Sequence, residues 1–198
     1  MRIAERPTLS SDVRLARATI GDVGVDDLPP AERAIAATLA PERQLEFAAG
    51  RAAARAALAA LCGAGDYVIG RDADGAPTIG IAGVRVSITH TRAAVAAVAG
   101  RAAALGVDLC AVADAARVRR VAPRFIVAEE RAMPGDDVEW ATLWALKEAS
   151  AKAVGVGLLE GGLKATRLAA LAPPRFARPE LHAETAVEDG MVLAVVWR

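Results

Sequence analysis

A long run of helix-favouring residues, bounded by prolines and a glycine, occupies residues 28–63. Pro29 and Pro30 suit the first turn of one helix. Pro41 suits the start of a second helix, which Gly63 would end. Small residues recur along this second helix at steps of three and four, namely Leu45, Ala48, Ala49, Ala52, Ala56 and Ala59. Such a stripe predicts a helix that packs closely against another layer of structure.

Strand-like segments follow the helical region. Residues 83–90, GVRVSITH, alternate as a strand. One face would carry Val84, Val86 and Ile88, and the other Arg85, Ser87 and Thr89. Two more strands are predicted over residues 93–100 and 103–110, because both segments are apolar and a Gly-Arg pair separates them.

The second half of the chain returns to a helix and then to strands. A loop rich in arginine, proline and acidic residues is predicted over 113–139, and a helix over 140–154. Residues 182–198 indicate a hairpin that turns at residues 188–190. Because the order of elements has no βαβ regularity, we expect an α+β fold with two halves, 1–104 and 105–198.

Composition excludes several classes of protein. The counts of basic and acidic residues are equal, 24 of each, which argues against a nucleic-acid partner. Cys62 and Cys110 form neither a disulfide framework nor a zinc spacing, so we expect two reduced, largely buried thiols. The charged N-terminus lacks the apolar run of a signal peptide, and Arg101 interrupts the one long apolar stretch. The sequence predicts a cytoplasmic protein that does not associate with membranes.

The first candidate for chemistry is Glu148, in the segment WALKEASAK. One interpretation is a surface ion pair with Lys152, four residues on, which would contribute about 0.3–0.5 kcal/mol. However, the same helix face carries Trp144, Ala151 and Gly155, which favours a packed environment. A packed carboxylate needs a cation or several hydrogen-bond donors, so Lys152 or a metal ion would be its partner.

Two further candidates lie on the predicted strands. Asp108 interrupts an apolar strand, where aspartate is disfavoured, and it either caps the strand end or joins Glu148 as a ligand of Mg²⁺. His90 ends its strand and is either a structural hydrogen-bonding residue or part of a phosphate-contacting patch. The hydroxyl groups that would complete such a patch belong to Ser87, Thr89 and Thr91.

Three segments in this order, VSITHT, GVDL and WALKEASAKAVGVGL, resemble the phosphopantetheinyl transferases. The third is similar to that superfamily's W-x-x-K-E-x-x-x-K signature, with GVD about forty residues upstream. The segments AAGRAAARAAL and IGRDADGAP resemble the surfactin-synthetase-activating type. The resemblance covers residues 28–165 and, more loosely, the C-terminal hairpin.

The resemblance implies an enzyme that transfers the 4'-phosphopantetheine arm of coenzyme A to a serine of an acyl or peptidyl carrier protein. Adenosine 3',5'-bisphosphate would be released in a reaction that depends on Mg²⁺ or Mn²⁺. The family's fold is a pseudo-dimer of two similar α+β halves with the active site between them, which implies a monomer. A basic and apolar surface over residues 111–140 would suit an acidic carrier protein; the same segment could equally be a solvated loop and helix.

The resemblance also assigns roles to residues. Asp108 and Glu148 would hold the metal ion, and Glu148 would take the serine proton. Lys152 would contact the diphosphate. The remaining coenzyme A contacts would come from Arg33, Arg71, Ser87 and His90. For Lys147 the sequence leaves two alternatives, a position beside the phosphates or a solvated side chain.

Two positions depart from the family pattern. Cys110 stands where many members of this type carry a third acidic residue, and thiols are poor ligands for Mg²⁺. Ala76 stands where a lysine is common. These departures leave open a catalytically impaired relative that binds coenzyme A or a carrier protein without transfer. Another Mg²⁺-dependent enzyme of phosphoesters is a further alternative.

Overall fold

The computed structural model describes residues 2–3, 12–156 and 162–198. The chain divides into two compact units, Met1–Arg101 and Ala102–Arg198. The division predicted from the sequence lies between residues 104 and 105. Each unit combines an antiparallel sheet with one long helix, so the fold is α+β with two similar halves, as expected.

The first unit contains a four-stranded and a two-stranded sheet. Its strands are β1 (Arg2–Ile3), β2 (Val13–Thr19), β3 (Ile69–Arg71), β4 (Pro77–Ile79), β5 (Arg85–His90) and β6 (Ala94–Gly100). Its α-helices are α1 (Pro30–Ala36) and α2 (Pro41–Cys62). The strand order of the larger sheet is β1-β2-β6-β5, with antiparallel neighbours, and β3 pairs with β4.

The predicted helix boundaries in this unit are confirmed. Pro30 and Pro41 each occupy the first position of a helix, where the missing N–H costs nothing. Gly63 follows α2 with φ of 90°, a conformation that L side chains rarely adopt. The prediction for Leu45 was wrong: this side chain is 41% exposed.

Helix α2 packs on β2, β5 and β6 through small residues. A Cβ on Gly50 would lie 3.2 Å from Ile88 Cγ2, so the helix and the strand are already in close contact. The core residues of α2 in this layer are Ala49, Ala53, Ala54, Ala56, Ala57 and Leu58. The alanine-rich sequence therefore allows the helix axis to lie close to the sheet.

The first strand of the second unit lies at one edge of its main sheet, and the unit ends with a hairpin. Its strands are β7 (Leu105–Ala111), β8 (Leu168–Leu171), β9 (Pro174–Phe176), β10 (His182–Glu188) and β11 (Met191–Trp197). Its α-helices are α3 (Ala115–Val121), α4 (Ala128–Arg131), α5 (Asp137–Val154) and α6 (Gly162–Ala165). The main sheet has the order β10-β11-β7, and Ala194 of β11 is paired with Asp108 of β7.

The region predicted as a loop over 113–139 contains two helices, so that prediction was wrong. Helix α5 also begins three residues earlier than predicted. The Asp136 side chain caps it by accepting a hydrogen bond of 2.8 Å from the Glu139 backbone N–H. Gly155, in the left-handed conformation, ends the helix as expected from its position. Residues 157–161, the last glycine of the quoted signature among them, lie outside the described residues.

The predicted C-terminal hairpin is confirmed. Glu188 of β10 pairs with Met191 of β11 across the two-residue turn. Asp189 and Gly190 both have positive φ, 51° and 71°, which is the type I′ geometry that suits the twist of antiparallel strands. In the described parts of the chain, the helices are too short or too polar to cross a bilayer.

Candidate active site

Strand β7 and helix α5 bring three of the predicted residues together in the second unit. Lys152 Nζ lies 2.7 Å from Asp108 Oδ1 and also donates to the Val107 carbonyl oxygen at 3.0 Å. Glu148 stands one helical turn before Lys152 and is 6% exposed. Lys152 pairs with Asp108, and Glu148 is buried. The interpretation of Glu148 and Lys152 as a surface ion pair is therefore wrong.

The electrostatic environment of Glu148 is unusual for a glutamate. Burial, the largest cause, and the neighbouring charge of Asp108 raise the pKa of Glu148 to about 7, while Lys152 opposes the shift. A carboxyl group with this pKa can take up or release a proton near neutral pH. A bound cation would relieve the repulsion between Asp108 and Glu148 and stabilise their ionised forms.

The two carboxylates fit a hard divalent cation. Mg²⁺ is commonly bound by one or two protein carboxylates, with water and substrate phosphate oxygens completing its shell. Burial and the charge of Asp108 raise the pKa of Cys110 to about 12. Its sulfur is in any case a soft ligand that Mg²⁺ disfavours. No cluster of three or more histidine, cysteine or acidic residues suited to a metal occurs within residues 2–3, 12–156 and 162–198. Among those residues, Asp108 and Glu148 are the ones that would hold the cation.

Lys147 contacts neither Asp108 nor solvent. The two alternatives drawn from the sequence, a position beside the phosphates and a solvated side chain, were both wrong. It is fully buried, and its Nζ lies 2.8 and 3.1 Å from the two carboxylate oxygens of Glu130. The Thr166 carbonyl oxygen accepts its third hydrogen bond at 2.7 Å. Burial lowers the pKa of Lys147, and the contact with Glu130 opposes that shift.

A cavity of about 270 Å³ lies in the first unit. It brings together two of the predicted coenzyme A residues, Arg71 from the end of β3 and His90 from the end of β5. Two arginines that the sequence analysis did not select, Arg43 and Arg51 of α2, add to its positive charge. We refer to it as the cationic cavity, because four of its lining residues are arginine or histidine.

The floor of the cationic cavity is built around Phe47. The guanidinium carbon of Arg51 lies 4.8 Å from the Phe47 ring centroid, and that of Arg71 lies 5.8 Å from it. Arg51 is 3% exposed, and both of its terminal nitrogens donate to the Gly70 carbonyl oxygen at 3.4 Å. Burial lowers its pKa to about 10, so it is still a cation at neutral pH. The site thus offers positive charge beside an aromatic surface.

Three polar side chains meet at the rim of this cavity. Glu46 Oε2 accepts from Arg43 Nη1 at 2.7 Å and lies 3.6 Å from His90 Nδ1. The other ring nitrogen of His90 is 3.4 Å from Arg43 Nη1. Glu46 therefore contacts both Arg43 and His90 and holds the two side chains close to each other.

The other two predicted coenzyme A residues lie away from the lining of the cationic cavity. Arg33 is exposed on α1 and donates to the Leu28 carbonyl oxygen at 3.2 Å. Ser87 is buried, and the alternation of β5 places it on the opposite face from Ile88 and His90, which line the cavity. A sequence signal for Arg51 did exist, because it stands four residues after Phe47 and thus shares its helix face.

Comparison with known families agrees with the division into two units. Residues 31–100 match the sequence model of the 4'-phosphopantetheinyl transferase N-terminal domain. Residues 104–191 match that of the 4'-phosphopantetheinyl transferase superfamily. No curated protein is similar enough to the chain to count as a match. The second match contains Asp108, Glu148 and Lys152.

Proposed function

Because the chain belongs to the 4'-phosphopantetheinyl transferase superfamily, we propose that it transfers the 4'-phosphopantetheine arm of coenzyme A to a serine of an acyl or peptidyl carrier protein. The observation that carries this proposal is the grouping of two buried carboxylates, Asp108 and Glu148, with the partly exposed Lys152. It combines Glu148, whose pKa is raised to about 7, with the Lys152 cation one turn further along α5 and with a second carboxylate, Asp108, on β7.

The chemistry assigns a role to each of these groups. The serine Oγ forms a bond to the phosphorus that carries pantetheine, and the bond from that phosphorus to the adenosine 3',5'-bisphosphate leaving group breaks. Glu148, directly or through a water molecule, accepts the serine proton. Lys152 contacts the diphosphate and offsets the charge that develops on the leaving oxygen. Asp108 holds the Lys152 ammonium in place.

Asp108 and Glu148 would also hold the divalent cation, Mg²⁺ or Mn²⁺. When bound there, the cation supplies neutralisation of the diphosphate charge. In the part of the chain that the structure describes, these two carboxylates would be the protein's ligands, with water and phosphate oxygens in the remaining positions. Mg²⁺ disfavours the soft sulfur of Cys110.

The cationic cavity suits the 3'-phosphate end of coenzyme A. Arg43, Arg71 and His90 provide donors for a phosphate, and a guanidinium fork matches phosphate oxygens well. Phe47 offers an apolar surface for the nucleoside. We include Arg51 in this group on the basis of its geometry, and we keep Arg33 and Ser87 as proposed contacts on the basis of the resemblance alone.

The carrier protein would be attracted by the arginines of α3 and the turn that follows it. Arg117, Arg120 and Arg124 are exposed there, and carrier proteins are acidic helical bundles. The sequence also predicted apolar residues on this surface. Phe125 and Ile126 are only 2% and 3% exposed and belong to the core, so they are not part of it. In this proposal the enzyme acts as a cytoplasmic monomer.

Intact-mass spectrometry of purified apo carrier proteins tests the proposal. Incubation with the protein, coenzyme A and Mg²⁺ should add one phosphopantetheine to the carrier and release one adenosine 3',5'-bisphosphate. A chelator should abolish both. Glu148→Ala should abolish transfer, whereas Glu129→Ala, an exposed glutamate of α4, should leave it unchanged. Binding of coenzyme A without any mass gain on fatty-acid, polyketide or peptide carriers would instead support the catalytically impaired relative.

A further inference from the structure

A buried polar network lies behind the carboxylate pair on helix α5, and the proposed mechanism makes no use of it. Its members are Glu130, Lys147, Ser150 and Thr166, and each is 0% exposed. The three ammonium protons of Lys147 are matched by three acceptors, both oxygens of Glu130 and the Thr166 carbonyl. We call these four residues the α5 anchor.

The α5 anchor connects the helix to two other parts of the second unit. Glu130 in α4 also accepts from the backbone N–H groups of Val127 and Leu168, at 3.0 and 2.7 Å. Ser150, one turn after Lys147, lies 2.7 Å from the Thr166 hydroxyl oxygen. Two successive turns of α5 are thereby connected to the segments around residues 127 and 166–168.

Helix α5 needs such directional contacts because its sequence does little to fix its rotation. Residues 145–151 are all buried, and they cover nearly two full turns, so the middle of the helix has no solvent-facing side. Its contact with β7 is smooth, since Gly106 and Ala149 face each other there. Alanine and glycine have no side chains that interdigitate at this contact, so directional polar contacts would add to what fixes the rotation of the helix.

The rotation of α5 decides where Glu148 points. Lys147 and Glu148 are adjacent in sequence and about 100° apart around the helix axis. A rotation of about 20° would move a side-chain end about 6 Å from the axis by about 2 Å. Displacements of about 1 Å at a reacting group lower rates by about 100-fold.

We propose that the buried contact of Lys147 with Glu130 and Thr166 makes Lys147 a positioning residue, which sets the rotation of α5 and thereby the approach of Glu148 to Asp108. This inference rests on the proposed function, because it concerns the same two carboxylates. It assigns Lys147 no contact with coenzyme A or with the carrier protein. In this proposal the buried Lys147–Glu130 pair selects one rotation of α5. Buried polar contacts are known to select one arrangement of helices in helical assemblies.

The test is the double variant Lys147→Met with Glu130→Gln. Removing both charges avoids a lone buried charge, which would unfold the protein for unrelated reasons. Leu143→Ala is the matched control, since it removes a buried α5 side chain outside the anchor. Binding of Mn²⁺ would be measured by electron paramagnetic resonance, alongside kcat, KM for coenzyme A and the melting temperature.

We expect the double variant to bind Mn²⁺ about 10- to 100-fold more weakly, in line with the loss of groups that orient metal ligands. Its kcat should fall by about 100-fold, and KM for coenzyme A should change by less than about twofold, given that neither substitution touches the cationic cavity. Leu143→Ala should lower the melting temperature and keep wild-type Mn²⁺ affinity. Equal losses of Mn²⁺ affinity in both variants would mean that general destabilisation explains the effect, and the inference would be wrong.

A milder variant covers the case in which the double variant does not fold. Ser150→Ala removes the contacts of the Ser150 hydroxyl with Thr166 Oγ1 and with the Lys147 carbonyl oxygen. It should weaken Mn²⁺ binding by about two- to fivefold, a free-energy change in the range of one hydrogen bond. If Ser150→Ala and any folded double variant bind Mn²⁺ with wild-type affinity, this inference is wrong, and the proposed function is unaffected. A wild-type protein that binds no Mn²⁺ and transfers nothing would overturn the proposed function and this inference together.

Discussion

Gly106 of β7 lies against the main chain of Ala149 in α5, so that a Cβ on Gly106 would be 2.0 Å from the Ala149 carbonyl oxygen. The same Cβ would be 2.7 Å from the backbone nitrogen of Ala153. Real Cβ atoms do not approach backbone atoms so closely, and the helix and the strand therefore meet backbone to backbone. Asp108 is two residues further along the same strand and faces the same way.

Gly106→Ala should consequently push α5 away from β7. We expect a loss of about 1–3 kcal/mol in the free energy of unfolding, the usual range for overpacking, and a larger relative loss of transfer activity. Urea unfolding and the mass assay would measure the two effects. Gly80→Ala is the matched control, because nothing lies within 4 Å of a Cβ there. Equal stability of the two variants would contradict the close contact.

Glu148 should make the stability of the metal-free protein depend on pH. Its pKa is raised from 4.5 to about 7, so between these values the folded protein binds the proton more tightly than the unfolded chain. Its contribution is therefore fully present below pH 4.5 and is lost as the pH rises to 7. The whole change is about 3 kcal/mol at about 1.4 kcal/mol per pKa unit.

Urea unfolding in a chelator at pH 5 and pH 8 checks this prediction. The stability of the wild type relative to Glu148→Gln should fall by about 2–3 kcal/mol between the two pH values, most of the whole change. The free energy of unfolding of Glu129→Gln should change with pH as that of the wild type does, since Glu129 is exposed. Added Mg²⁺ should reduce the change, because the cation stabilises the ionised carboxylates. A constant difference between wild type and Glu148→Gln would show that the carboxyl group has an ordinary pKa.

The two cysteines should differ in reactivity. Cys110 is 5% exposed, and burial together with the charge of Asp108 raises its pKa to about 12, so little thiolate forms at pH 8. Cys62 is partly exposed at the end of α2. N-ethylmaleimide at pH 8 should add one label to the native protein and two in urea. Native Cys62→Ser should take up no label, and two labels on the native wild type would contradict the burial of Cys110.

Arg51 should be important for phosphate binding in the cationic cavity. Arg51→Gln should weaken binding of adenosine 3',5'-bisphosphate by about 10- to 100-fold, the loss of one charge-assisted hydrogen bond of about 1.5–3 kcal/mol. Isothermal titration calorimetry would measure this. Arg85→Gln, an exposed arginine of β5, is the control. Adenosine, which lacks the phosphates, should bind Arg51→Gln and Arg85→Gln with equal affinity. If Arg51→Gln also loses affinity for adenosine, the substitution has damaged the cavity as a whole.

Local rules explain why much of the fold was predictable from the sequence. Proline fixes φ near the helical value and lacks an N–H, so Pro30 and Pro41 suit the first position of a helix when a helix-favouring sequence follows. The Asp-Gly pair at 189–190 specifies its turn in the same way. Asp108, Glu148 and Lys152 were recognised because their types and spacing match a signature. The structure places them on adjacent elements.

Long-range contacts explain the parts that were missed. The partner of Lys147 is Glu130, seventeen residues earlier in a segment predicted to be a loop, and nothing local to Lys147 indicates that contact. The burial of Phe125 depends on a T-shaped contact with the Trp144 ring at 4.8 Å, which again joins distant segments. Arg51 was overlooked because its role depends on a cavity, and the lining comes from separate elements.

The alanine and glycine contacts beneath α2 and α5 also determine which parts of this protein can change during evolution or engineering. Most random substitutions at those positions add volume, and the close approach of helix to sheet leaves no space for it. Variant libraries designed to change the proposed carrier-protein partner should therefore leave the residues of both helix–sheet contacts unchanged. Diversity belongs on the exposed arginine-bearing side of α3, where side chains can be exchanged without moving either carboxylate.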